Sequence, residues 1–385
     1  MVRPPLTPPT IVRRALRQRT EIGLLDVRPE GAYAEGHPLF AASFPLGRLE
    51  AEVLDRLPRR SVSLVVYGDG GEDATVAAGR LERLGYRDVS LLEGGLAGWV
   101  AGGGELFRDV NAPSKAFGEL VEATAGTPAV PASELRALLR SGADVVVVDA
   151  RRFEEYRTMS IPTATSVPGA ELVMRASVLA PDPATLVVVN CAGRTRSIIG
   201  TQSLINAGLP NRVVALRNGT IGWSLAGLDL DHGQQRRAPE VPPAMARRAE
   251  AAAWAVARKV GAGRIGAAAL LSLLDRGVRT VYRFDIRSPE EYAAGHLAGF
   301  RSAPGGQLVQ ETDWFAPVRG ALVVLADDGG GRAAMTASWL AQMGWEAAVL
   351  EADPDFTLET GPWAPAWPPP PEPPQEDTAQ VDSWL

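Results

Sequence analysis

The chain has 385 residues, of which 46% are hydrophobic and 22% charged, and its net charge is −6. That is an ordinary globular composition, enough for roughly two to four domains at about 100–200 residues each, and it lacks the basic footprint of a protein that grips nucleic acid or an anionic membrane surface. A single cysteine, Cys191, excludes an intramolecular disulfide and a cysteine-based structural zinc site. A soluble cytoplasmic protein is expected, with no metal and no cofactor.

Residues 1–20 are rich in Arg, free of acid and without an apolar run. They predict a basic first helix leading into a strand at Ile22–Val27, not a targeting peptide. The apolar stretch Ala249–Leu274 contains Arg258, Lys259 and Arg264, so it does not predict a membrane span.

Three segments repeat: LLDVRPEGAYAEGH from Leu24, VVDARRFEEYRTMS from Val147 and RFDIRSPEEYAAGH from Arg283. Their anchors are Asp26, Arg28 and Tyr33, then Asp149, Arg151 and Tyr156, then Asp285, Arg287 and Tyr292. His37 and His296 match, where the middle copy has Ser160. Each copy continues into a buried-type strand, at Leu64–Tyr67, Leu186–Asn190 and Leu322–Ala326. A loop follows, GDGGED from Gly68, CAGRTR from Cys191 or DDGGGR from Asp327. The anchor Asp precedes the first loop residue by 42 positions in every copy (26 to 68, 149 to 191, 285 to 327). An Ala-rich helical stretch then ends near Gly85, Gly208 or Gly344, where glycine caps a helix C-terminus. Another strand follows, such as Val213–Leu216. The first two copies close on GGLAGW and NGTIGW, and the third lacks that ending.

Short apolar strands alternating with helices predict an α/β fold, tandem domains each with a small parallel sheet flanked by helices. The domains are placed at 1–110, 130–232 and 244–362. A linker rich in Ala, Pro, Thr and Gly spans Asn111–Pro131, and a polar segment at Gly233–Pro243 leads into a helical connector. A proline-rich tail occupies 363–385. It reads as an interdomain linker, from which longer relatives are expected to continue into a fourth domain.

The D-x-R…Y element, the strand, the Cys-led loop and the G-x-x-x-W-like ending resemble the rhodanese, or sulfurtransferase, family. CAGRTRSIIG followed by ALRNGTIGW is similar to bacterial multi-domain rhodanese-related sulfurtransferases. The resemblance covers about residues 24–360 and implies transfer of a sulfane sulfur, from a donor such as thiosulfate, through a persulfide on Cys191. Carrying two arginines, the loop departs from the best-known family loops, which leaves the choice of substrate open.

The chemistry of the residues agrees. A thiolate nucleophile and its persulfide product are both anions, and ligands of parallel sheets bind at the carboxyl ends of strands. A short loop leading into a helix N-terminus curls backbone N–H groups around an anion. Cys191 is the candidate nucleophile, with Arg196 as the second catalytic residue. Ala192, Gly193, Arg194, Thr195 and Ser197 form the candidate substrate cradle, Gly193 permitting the curl and Ser197 suiting a helix N-cap. Arg194 and Arg196 add charge for a small sulfur-containing anion. Asp149 with Arg151 reads as an architectural ion pair, since copies without a thiol share it, and Tyr156 reads as core. Asp327, at the nucleophile position of the third copy, is expected to fill its own cradle as a tethered anion.

Two rivals stay open. A persulfide carrier or docking protein would deliver sulfur to a protein partner. A Cys-dependent phosphatase needs a wider loop, whereas only Ala192–Thr195 separate Cys191 from Arg196. A homo-oligomer is compatible with either.

Overall fold

The computed structural model describes residues 4–329, 331–351 and 356–365. The tail expected at 363–385 lies outside these, apart from its first three residues. Three sheets follow one plan. In the middle domain the order is Ala129–Val130, Val213–Leu216, Leu186–Asn190, Val145–Asp149 and Thr165–Ser166, all parallel. The third domain repeats it with Gly263–Ile265, Glu346–Leu350, Leu322–Ala326, Val281–Asp285 and Arg301–Ser302. The first domain does so with Leu6–Thr7, Asp88–Leu92, Ser63–Tyr67, Ile22–Asp26 and Ala42–Ser43. The central strands are continuously apolar because helices cover both faces. Among the described residues, no helix is long and apolar enough to cross a membrane.

The repeated anchors explain why the plan recurs. In each copy the Arg lies against the Asp two residues earlier, with N–O distances of 2.7, 2.7 and 2.6 Å. The same guanidinium donates to a carbonyl eight residues on, at Gly36, Met159 or Gly295. The Tyr hydroxyl donates to the carbonyl of Ala41, Ala164 or Phe300. His37 and His296 stack on Tyr33 and Tyr292, with ring centroids 3.7 Å apart in both copies. These contacts lock the chain between the first strand of the repeat and the short strand after it.

The linkers are structured. The segment Asn111–Pro131 holds a helix, Ala112–Ala125, started by Pro113 and ended by Gly126 at φ 64°. Its apolar side buries Phe117 and Val121, and Phe117 meets Trp339 edge-on at 5.9 Å. The connector forms the helix Pro243–Lys259, which packs on the third domain's helix Gly331–Gln342 and the middle domain's Leu172–Leu179. One continuous core therefore joins the domains.

The first and third domains share more than a packed face. Val318–Arg319 of the third pairs antiparallel with Ile22–Gly23 of the first, extending its sheet. Arg56 of the first domain is buried, stacked on Phe44 at 3.7 Å. It donates to Glu52, to Ser43 O and, across the boundary, to Trp314 O at 2.9 Å. The Tyr33 hydroxyl also reaches across, 3.2 Å from Asp313 Oδ2. Tyr156→Phe removes one buried hydrogen bond and is expected to cost about 1 kcal/mol. Tyr33→Phe removes the cross-domain contact as well and is expected to cost more. Urea unfolding of both variants checks the order.

Candidate active site

Cys191 ends the strand Leu186–Asn190 and opens the loop before the helix Thr195–Asn206. It is only 2% exposed, and its thiol donates to Ser197 Oγ at 3.5 Å. Arg194, rather than Ser197, precedes the first helical residue. Ser197 sits inside the first turn, its hydroxyl donating to Arg194 O at 2.8 Å. That serine faces the sulfur because the helix starts three residues earlier than an N-cap at Ser197 requires.

Behind the loop stands the turn NGTIGW. Asn218 and Gly219 both have positive φ, 59° and 52°, and a β-carbon on Gly219 would collide with the Cys191 carbonyl oxygen. The turn donates Thr220 N–H to Cys191 O at 2.8 Å and Ile221 N–H to Ala192 O at 3.0 Å. The closing motif of the repeat is therefore the floor of the loop. Trp223 anchors it, its indole N–H bonded to Asp229 O at 2.8 Å.

A buried polar chain runs from the anchor pair to this floor. Asp149 accepts from Arg151 and, at 2.9 Å, from Asn190 Nδ2. Asn190 Nδ2 also donates to Thr220 Oγ1 at 3.3 Å, and the Thr220 hydroxyl donates to Cys191 O at 3.1 Å. Asn190 and Thr220 were not singled out from sequence. The other copies carry Tyr67 and Ala326 at the Asn190 position, and the first carries Leu96 at that of Thr220. The thiol copy thus differs from its siblings in its supports as well as in its cysteine.

Both loop arginines are engaged by carboxylates. Arg196 lies in a bidentate pair with Glu155, at 2.7 and 2.8 Å. Arg194 binds Glu119 at 2.8 and 2.9 Å and Glu122 at 2.5 Å, both on the linker helix. These three acids also went unnoticed in the sequence; Glu155 carries a signal there, since the third copy has Glu291 and Arg332 at the same spacing. The linker helix closes over the loop, and a β-carbon on Gly118 would sit 3.1 Å from Thr195 Cγ2. Burial opposes the charge of Arg196, but Glu155, with smaller contributions from Cys191 and Asp149, raises its pKa. A cavity of about 370 Å³ lies beside Arg196, walled by Arg152, Phe153 and Gly169 of the middle domain and by Ser288, Glu291 and Gln307 of the third.

The third-domain loop shows what the cradle does to an anion. Asp327 accepts N–H bonds from Gly329 at 3.2 Å and Ala333 at 2.9 Å. The matching positions in the middle loop are Gly193 and Ser197. Arg332 ends this loop, held by Glu291 and Asp328 and reaching Glu171 of the middle domain at 3.4 Å. Among the described residues, no group of His, Cys, Asp and Glu is arranged to hold a metal ion.

The family model of the rhodanese-like domain matches residues 9–102, 131–226 and 267–353. The chain belongs to the rhodanese-like family. Its fold is similar to that of the thiosulfate sulfurtransferase from Pseudomonas aeruginosa, with TM-score 0.94 and 57% identity, over 99% of this chain and 73% of that one. A shorter likeness, 34% identity over 94 residues, links it to the HTH-type transcriptional regulator Rv0324 of Mycobacterium tuberculosis. That match takes in 24% of this chain, which spans less than half, 41%, of the regulator's length.

Two outcomes are expected from this rhodanese geometry. Asp327→Ala strands the loop N–H groups and costs about 1–3 kcal/mol, read by chemical denaturation. For Glu155, burial pushes the carboxyl up, but the hydrogen bonds and charge of Arg196 outweigh it and hold the pKa below the usual carboxylate value. The stability from this pair is therefore present above the unfolded Glu pKa and lost as pH falls through the lowered folded value. Melting temperature measured from neutral to acid pH should fall less steeply for Glu155→Gln than for the unaltered chain.

Proposed function

We propose that this chain is a sulfurtransferase that moves a sulfane sulfur through a persulfide on Cys191, with thiosulfate as donor. The observation that carries the reading is the position of Cys191: a sole thiol at the carboxyl end of a parallel strand, at the opening of a loop whose sibling cradles a carboxylate on backbone N–H groups. The near full-length likeness to a thiosulfate sulfurtransferase supports it.

The Cys191 thiolate attacks the outer sulfur of thiosulfate. The S–S bond of the donor breaks, its electron pair leaves with sulfite, and a Cys191 persulfide anion remains. A thiophilic acceptor such as cyanide then attacks the terminal sulfur, forming thiocyanate and returning the thiolate. Each step moves negative charge within the loop, so fixed donors that favour an anion lower both barriers. The backbone of Ala192, Gly193 and Thr195, with Ser197, forms that cradle. Arg196 stands by the sulfur as a fixed positive charge. Arg194 uses Nε and Nη2 for its carboxylates and meets the donor's sulfonate edge with Nη1. With Cys191 nearly fully buried, small donors and acceptors fit better than a docked protein carrier.

Incubation with thiosulfate is expected to add one sulfur atom to the intact protein, removable by cyanide. Cys191→Ser should gain none and form no thiocyanate; thiocyanate at the unaltered rate from that variant overturns the reading. Arg194→Met should raise the KM for thiosulfate roughly tenfold, the loss of one hydrogen bond to a charged group, with a smaller effect on kcat.

A further inference from the structure

The linker helix Ala112–Ala125 brings more negative charge to the thiol loop than is needed to hold it. Arg194 presents Nε and Nη2 to Glu119, a two-point grip that fixes a guanidinium by itself. Glu122 then binds the same Nη2 at 2.5 Å and anchors no further nitrogen. One cation thus stands between two carboxylates, which leaves one negative charge in excess. Arg196, by contrast, is matched one for one by Glu155, with Arg152 a further 3.7 Å from that carboxylate. Lys115, the remaining charged residue of the linker helix, is paired with Asp109.

The excess charge is open to solutes and close to the sulfur. The side chains of Arg194, Glu119 and Glu122 are 37%, 58% and 32% exposed, so a small molecule can reach them and water screens their field only in part. Hydrogen bonds from Arg194 hold the Glu119 carboxyl below the usual carboxylate range, which keeps it ionised at neutral pH. Arg194 O accepts the Ser197 hydroxyl at 2.8 Å, and the Cys191 thiol lies 3.5 Å from that same hydroxyl. Gly118, the residue before Glu119, packs on Thr195 of the loop. A donor that engages Arg194 on its way to Cys191 feels the two carboxylates before it reacts.

Resting on the reading of Cys191 as the sulfur carrier, we propose that Glu119 and Glu122 are specificity-determining residues that sort sulfane-sulfur donors by charge, disfavouring a dianion such as thiosulfate relative to a monoanion of the same shape. A fixed potential acts on each donor charge alike, so its free-energy effect on a dianion is twice that on a monoanion. Arg194, outnumbered by its carboxylates, still orients a sulfonyl oxygen by a hydrogen bond but no longer favours a second charge. A thiosulfonate is a donor of the favoured kind. The Cys191 thiolate attacks its outer sulfur, the S–S bond breaks, the electron pair leaves with the sulfinate, and the persulfide remains on Cys191.

The test is steady-state thiocyanate formation from cyanide by the full chain, with thiosulfate compared against methanethiosulfonate, in which a methyl group replaces one charged oxygen. The double variant Glu119→Gln, Glu122→Gln keeps the shape of both side chains and removes their charge. Its KM for thiosulfate should fall roughly tenfold and its KM for methanethiosulfonate roughly threefold, with smaller changes in kcat. Salt near 1 M, where the Debye length is about 3 Å, should bring the donor preferences of the variant and the unaltered chain together; loss of a purely structural clamp has no such salt response. A thiosulfate KM that is unchanged or raised in the variant overturns the proposal. So does an equal change for both donors, or a difference between the chains that salt leaves intact. If neither donor loads Cys191 with sulfur, the sulfur-transfer reading falls and takes this proposal with it, whereas a persulfide that forms with unaltered donor preference overturns this proposal alone.

Discussion

Everything at the thiol loop rests on one buried ion pair, Asp149 with Arg151. Such a pair is a poor source of net stability, because desolvating two charges offsets most of their attraction. It is a good source of position. The Asp149 carboxylate has a fixed orientation because Arg151 grips it side-on and also ties down Met159 O. That orientation lets it accept from Asn190, whose amide then directs the Thr220 hydroxyl to Cys191 O. The nucleophile's own peptide unit is thereby held by a chain of polar contacts that begins 42 residues upstream.

The thiol-free domains keep the pair and drop the extension. They preserve what the fold needs, the lock between the strand, the Tyr hydroxyl and the carbonyl it reaches, and lose what a reacting sulfur needs. The third domain keeps its cradle filled from within by Asp327 and uses Arg332 to reach across to Glu171. It also supplies one wall of the cavity beside Arg196. A domain that has lost its nucleophile still shapes the surroundings of the one that has not.

Much of this was legible in the sequence because it is periodic. The equal Asp-to-loop spacing, the strands Leu186–Asn190, Val213–Leu216 and Leu322–Ala326, the anchor pairs and the Asp327 cradle all follow from aligning the chain with itself. The unread parts are those where a residue's partner is remote and unrepeated. Glu119 and Glu122 sit in a stretch whose Ala, Pro, Thr and Gly suggested a plain linker, and nothing local reveals that their helix covers the thiol loop. Arg194 and Arg196 read as free charge because sequence shows cations more readily than the carboxylates that hold them. Thr220 carries no local signal, since its role depends on a strand neighbour 30 residues earlier.

The pairing of Val318–Arg319 with Ile22–Gly23 bears on how the molecule is made. A ribosome releases the first domain long before residue 318 exists. Until then the strand Ile22–Asp26, central and apolar, offers unpaired backbone groups along part of one side, the kind of template on which nascent chains join the wrong neighbour. The domain made first therefore waits for part of the third before this stretch of its sheet is closed.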